Sequence, residues 1–375
     1  MTNASDPNQV SRSQILEDAW FRFAKYDKNA TIAQKRFIRQ RKWTLILGVA
    51  ATTLAVLYSV LEGYLNSKMT VFPTWTDEKR LRNFLDSFHN LVVVIPILIT
   101  ILVAFSVKFN MGINWVMLRS SAEALKKEIF RYRMQVDEYS PSKVTVQESR
   151  DVRLAKKVKT ISKRLMETPV NQTDLLPYKG NLPPVYSISA NDDGFSDLTA
   201  EQYLIWRVED QFSYYQKKAA RLGREYRHSQ ALIIILGGVG ALLAALKFDV
   251  WIAVSNALAA AFTSYLEFKR VETNVIACNI SAADLYDIRV WWHSLSPEIR
   301  KLQTSVETLV SSTEAVLQTE NSGWLQEMRE ALSEIYGEKK DTKKEIHPAH
   351  NGQPLDDPVL APLQPEAKRG EGSKE

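Results

Sequence analysis

Four long uncharged runs interrupt an otherwise polar chain, at residues 43–61, 91–107, 229–246 and 250–266. A bilayer core about 30 Å thick takes roughly 17–25 helical residues, and all four runs fit. Core helices of soluble proteins are usually shorter and keep a polar edge, which argues against burial in a large soluble domain. A mostly polar segment precedes Trp43, so a cleavable signal peptide is not expected. The runs come in two pairs. The second pair turns over only Lys247, Phe248 and Asp249, which forces its helices into antiparallel contact.

The pattern continues outside the runs. After the first pair, apolar or small positions fall at Met111, Trp115, Leu118, Ala122, Leu125, Ile129, Tyr132 and Val136. After the second they fall at Val271, Val275, Cys278, Ala282, Leu285 and Trp292, with Arg289 breaking the row. Steps of four and three mark a helix–helix seam. A helix unbroken from Val250 to His293 would be about 65 Å long, half of it a stalk. Before the runs, Trp20 lies on Trp206, Tyr26 on Phe212, Ala33 on Ala219, Lys35 on Arg221 and Arg41 on Arg227. Each half reads as a feeder helix, a two-span hairpin and an exit helix. The fold class is an all-α membrane protein: two tandem two-span transmembrane helical hairpins with long cytoplasmic stalk helices.

The units are 11–136 for the first hairpin, 137–198 for a linker, 199–336 for the second hairpin with C-terminal helices, and 337–375 for a tail. In the linker, Leu154, Val158, Ile161 and Leu165 recur at helical spacing among lysines. This basic amphipathic helix fits either the anionic inner leaflet or the side of the stalk. Beyond Ser296-Pro297 a helix carries Ile299, Leu302, Val306 and Leu309. A break is expected at Asn321-Ser322-Gly323, before a helix with Trp324, Met328, Leu332 and Ile335. The tail, with five prolines, reads as disordered.

Charge orients the spans. Net charge is +5, which suits an anionic membrane surface. Lys and Arg crowd the outer side of each pair, whereas the hairpin loops hold only Lys68, Lys79, Arg80, Arg82 and Lys247. By the positive-inside rule, this is a multi-pass inner-membrane protein with both termini cytoplasmic. Cys278 is the one cysteine, so an intrachain disulfide is excluded. The bilayer is the partner implied, and no nucleic-acid role is read.

Candidate chemistry is sparse. Asp192-Asp-Gly-Phe-Ser-Asp opens like a cation loop, but an EF-hand needs Glu at its twelfth position and Tyr203 stands there. Thr199-Ala-Glu-Gln fits a capping box, so this stretch starts a helix. His347 and His350 lack further ligands, and no metal or cofactor is assigned. No charge lies inside a span, which argues against a proton relay, and no catalytic constellation appears, so an enzyme is not expected. Helix-packing or pore candidates are Thr52, Thr53, Ser59, Thr100, Gly237, Ala241, Ser255, Asn256, Thr263 and Ser264. Gly237, Ala241 and Ala245 form a small-residue stripe of the kind that lets membrane helices approach. Trp115, Leu118, Leu125, Ile129, Val275, Cys278, Leu285 and Trp292 are the stalk-seam candidates.

DDGFSDLTAEQYLIWRVEDQFSYYQKKAARL, from Asp192, resembles the opening of a SLATT domain, the SMODS- and SLOG-associating two-transmembrane effector domain. AWFRFAKYDKNATIAQKRFIRQRKW, from Ala19, resembles the opening of its common N-terminal partner of the same superfamily. With their hairpins the two cover about residues 11–335. The resemblance implies a membrane effector of a bacterial conflict system that forms a pore in, or otherwise disrupts, the inner membrane when a nucleotide-generating or nucleotide-sensing partner protein signals. Four spans do not easily enclose a channel alone, so a pore calls for a homo-oligomer. The chain shows neither kind of nucleotide motif, so sensing would fall to the partner or to the cytoplasmic helices. The alternative is a membrane scaffold whose cytoplasmic stalk recruits a partner.

Overall fold

The computed structural model describes residues 13–69, 75–109, 111–143 and 148–336, with side chains left out at 65–82 and 320–336. Its described residues are helical apart from turns and one isolated bridge. The tail from 337, with His347 and His350, lies outside them.

Helix α1 runs Gln14–Met69, α2 Trp75–Lys108, α3 Met111–Met134 and α4 Arg150–Met166. Then α5, Ala200–Tyr203, passes through a π-helical turn, Leu204–Glu209, into α6, Asp210–Ala245. Next come α7 at Asp249–Phe268, α8 at Val271–Ser294, α9 at Pro297–Arg300 and α10 at Gln303–Tyr336. Among the described residues, three stretches are long and apolar enough to cross a membrane: Gln14–Tyr64, Asn83–Tyr139 and Ala200–Ala245. Helix α7 is not among them, its 20 residues including Asp249, Asn256 and Glu267 beside the apolar ones.

The expected unbroken exit helices are interrupted. Helix α2 ends at Lys108 and α3 starts at Met111 in the first half, and α7 ends at Phe268 and α8 starts at Val271 in the second. Arg270 adopts a left-handed φ of 46°, which no α-helix propagates through. The expected break at Asn321-Ser322-Gly323 is absent, and α10 continues through it. A single Gly costs a helix only about 1 kcal/mol, too little to stop it.

Two aromatic-rich cores hold the body outside the uncharged runs. In the first, Leu16, Trp20 and Phe23 of α1 meet Leu118, Leu125 and Ile129 of α3, with Leu154, Val158 and Leu165 of α4. The second joins Tyr203, Leu204 and Val208 to Cys278, Leu285 and Trp292 of α8 and to Leu309 and Val310 of α10. Helix α10 packs on both α3 and α8, so the exit helices communicate through it. Trp20 is fully buried whereas Trp206 is only partly so. Trp206 lies within the π turn Leu204–Glu209, which the first half lacks at Trp20. The basic helix α4 packs by its apolar face on α3 and α1. Ser13 Oγ reaches Asp151 and Arg22 Nη1 reaches Ser162 Oγ at 2.7 Å. Helix α4 thus runs beside the end of α1 remote from the uncharged run.

Candidate functional site: the spans and the polar contacts beneath them

The apolar helices stand in a row. Helix α2 packs on α1, α1 on α7 and α7 on α6, while α2 and α6 occupy the two edges. Little of this surface is covered. Ile234 is 72 % exposed on α6 and Ile101 57 % on α2.

Across α6 and α7 the tight contact is at Gly240. A Cβ there would lie 3.7 Å from Ser255 Oγ, whereas nothing lies within 4 Å of one at Gly237. Gly237, Ala241 and Ala245 face outward. The stripe does not make this intrachain contact, because the neighbouring register of α6 does. Buried Ser255 donates to Leu236 O at 2.5 Å, bridging the two helices. Thr52, Thr53, Thr100 and Thr263 donate to carbonyls one turn back, on Gly48, Val49, Pro96 and Ala259. Ser59, Asn256 and Ser264 are exposed.

Where the apolar runs end, the helices are tied by aromatics and charges. Phe37 of α1 meets Phe268 of α7 with ring centroids 5.3 Å apart, and the Arg41 guanidinium lies 5.9 Å from each ring. Lys269 donates to Glu225, pairing the ends of α7 and α6. Each interruption carries an asparagine. Asn114 Nδ2 donates to Phe109 O at 3.2 Å, and Asn274 Nδ2 to Lys269 O and Arg270 O at 3.0 and 2.8 Å. A helix end leaves its last carbonyls without intrahelical donors. These buried amides supply some and so hold each bend.

Deeper in the body lie two buried ion pairs. Arg207 and Glu314 are 4 % and 2 % exposed. Arg207 donates Nε and Nη2 to the two carboxylate oxygens at 2.9 and 3.0 Å, and Tyr203 Oη donates at 3.0 Å. The guanidinium also stacks 4.5 Å from the Phe130 ring of α3. Burial works against the Arg207 charge, but Glu314 outweighs it and keeps the group protonated. Burial and Glu314 together raise the Tyr203 phenol well above its usual range. Nearby Lys126 of α3 is lowered to about 8, first by burial and then by Arg207. The second pair is Arg133 with Asp192.

Asp192 belongs to the stretch that opens like a cation loop. Its Oδ1 accepts from Gly194 N, and Asp193 Oδ1 accepts from Phe195 N and Ser196 N. Gly194 has φ +75°, and a Cβ there would strike Pro183 Cγ at 2.3 Å, so glycine is required. Gly194 O accepts from Trp20 Nε1 at 2.7 Å. The loop is a tie between the cores, and its carboxylates are spent on backbone N–H groups and Arg133. The Thr199–Gln202 capping box is formed in both directions. No group of three or more His, Cys, Asp or Glu gathers to hold a metal among the described residues.

Of the seam candidates, Trp115, Leu118, Leu125, Ile129, Cys278, Leu285 and Trp292 are buried, and Val275 is half-buried. They face different partners: α3 turns toward α1 and α4, and α8 toward α6. Sequence reasoning missed the Asn pair, both ion pairs and Gly240. Glu314 did carry a signal, an acid within the apolar register of Val306, Leu309 and Val310.

Residues 203–324 match the family described as SMODS and SLOG-associating 2TM effector domain 1. Residues 22–146 match a family described as a protein of unknown function, DUF4231. No curated protein and no solved structure matches the chain. Its second half therefore carries the likeness to a SLATT domain, a two-span effector domain of conflict systems, in a helical membrane protein. The first half is similar to a different family, so a tandem of SLATT domains is not what the matches describe.

Proposed function

We propose that the protein is a membrane effector of a bacterial conflict or defence system. Several copies assemble and permeabilise the inner membrane when a partner delivers a signal, of the nucleotide class the resemblance implies. The effector part rests on the match over 203–324. The permeabilising part rests on one stripe of α7. Ala253, Asn256, Ala260, Thr263 and Glu267 recur at steps of three and four, and all are exposed. Lipid would leave the Asn256 amide without partners at a cost of several kcal/mol, whereas a water-filled lumen hydrates it. One row of four helices encloses no lumen, so the lumen requires further copies.

Four crossings are supported by parity. The start of α1 shares a core with α3, so both lie on one side, and the two crossings by α1 and α2 satisfy this. The start of the α5–α6 segment shares a core with α8. Helix α6 crosses once, so α7 must return, and its 20 residues reach about 30 Å. In this reading the protein has two hairpins, cytoplasmic termini and no catalytic role.

The test is dye and ion release from liposomes holding the purified chain, with and without cyclic nucleotides and a candidate partner. Signal-dependent release that Asn256→Leu with Thr263→Val suppresses is expected. Release unaffected by that double change would remove α7 from the pathway. A second reading, a scaffold, draws on α8, where Ile276 and Ile280 are 53 % and 56 % exposed. One soluble partner held by α8, with no release under any condition, would favour it.

A further inference from the structure

The row of spans is open at both edges, and the order within it says what belongs there. Helices α1 and α6 are the outgoing members of the two hairpins, and α2 and α7 the returning ones. Across the row they alternate as α2, α1, α7, α6. The middle contact, α1 on α7, joins the outgoing helix of one hairpin to the returning helix of the other. Helix α6 is an outgoing helix with that side bare, and α2 is a returning helix with that side bare. We propose that α6 of one copy packs against α2 of a second copy, repeating the α1–α7 contact and joining copies head to tail. This rests on the four-crossing reading above and supplies the assembly that reading needs.

The bare edges carry the parts of the existing contact. At the α1–α7 crossing, Arg41 lies 5.9 Å from the rings of both Phe37 and Phe268. Laying α1 on α6 places Arg41 on Arg227, which is exposed. At the matching depth of α2, Phe105 and Phe109 lie 4.3 Å apart by ring centroid and are 51 % and 53 % exposed. Arg227 of one copy over this pair of the next re-creates the seal, and a cation over aromatic rings is attractive at such distances. Small Gly238, Ala241 and Ala245 are exposed on the side of α6 away from α7, where they permit the close approach that drives association in lipid. The contact is heterologous: one edge meets the other, not itself. Such a contact propagates, and it closes into a ring if the rotation allows.

The test is cysteine cross-linking of the full chain in membranes, in a Cys278→Ser background. Ile235 on α6 and Val94 on α2 are both exposed and lie at similar depth by the pairings of Leu236 with Ser255, Phe268 with Phe37 and Tyr58 with Phe88, on the two edges of the row. Oxidation of Ile235→Cys combined with Val94→Cys should give a ladder at multiples of the chain mass. Either change alone should give no ladder. Leu236→Cys with Ser255→Cys, adjacent within one chain, should close internally and report that the helices are folded. A dimer from Ile235→Cys alone would overturn the proposal in favour of a symmetric contact. No ladder, with the internal pair closing, would overturn it in favour of lipid-covered edges. Dye release measured on the same vesicles separates the readings. Release without a ladder refutes this interface and leaves the effector, whereas a ladder without release leaves the interface and refutes the pore.

Discussion

Replacing Glu314 with Leu should destabilise the helical body far more than replacing both members of its ion pair. Glu314 accepts three hydrogen bonds, two from Arg207 and one from Tyr203, at 2 % exposure. Its removal leaves a guanidinium buried without a counter-charge, which costs about 3–5 kcal/mol. The Phe130 ring, 4.5 Å away, remains and returns at most about 2 kcal/mol, so the loss still dominates. At roughly 2–4 °C per kcal/mol for a large domain, Glu314→Leu should lower the Tm by on the order of 10 °C. Arg207→Met with Glu314→Leu removes both charges and leaves only a packing defect, within about 2 kcal/mol of wild type. The assay is thermal unfolding in detergent followed by tryptophan fluorescence. Equal Tm values for the single and double variants would refute the reasoning, because they would mean that water or another group satisfies Arg207.

Lys126 titrates at about 8, below its ordinary 10.5. Between those values the unfolded chain binds more protons, so this group makes stability rise as pH climbs from 8 to 10.5. Lys126→Met should flatten that rise and increase Tm at pH 7, as unfolding at pH 7 and 9.5 would show. Lys247 holds a φ of 62° in the turn before α7, so Lys247→Gly should stabilise by about 0.5–1 kcal/mol and Lys247→Val should destabilise; both are read by Tm. Asn274→Ala removes two hydrogen bonds at the α7–α8 bend and should cost about 1–2 kcal/mol, and Asn274→Ser, which keeps a donor, should recover part of it.

Much of the fold was legible because membrane helices announce themselves by composition, and the run boundaries follow from that alone. The Thr199 cap was legible because it needs only neighbours three residues apart. The contacts that set the site were not. Gly237 and Gly240 are equally small, and only the crossing of α6 on α7 decides that Gly240 faces Ser255. Arg207 and Glu314 are 107 residues apart, so each reads as a solvated charge on its own helix. The bend at Arg270 was hidden for a different reason. Its sequence has no Gly or Pro, and the Asn274 amide that caps the carbonyls of Lys269 and Arg270 shows itself only in the folded bend.

The same distinction sorts the polar residues of the spans. A hydroxyl that donates one turn back satisfies itself, so Thr52, Thr53 and Thr100 are tolerated in lipid or between helices and carry little information about a lumen. Ser255 spends its donor on α6 and fixes the hairpin. Asn256 differs, because its amide has two donors and is exposed with no hydrogen bond to the helices beside it among the described residues. Its outward face is uncomfortable in a single chain surrounded by lipid and comfortable beside water. The edges of the row make the opposite demand, since Ile101 and Ile235 gain by meeting lipid or another helix and lose by meeting water. The head-to-tail assembly proposed above would cover the edges, and a lumen beside α7 would hydrate the stripe. Apolar edges alone would favour a plain membrane anchor, and the exposed Asn256 stripe is what makes an assembled, water-filled state the better account of the sequence.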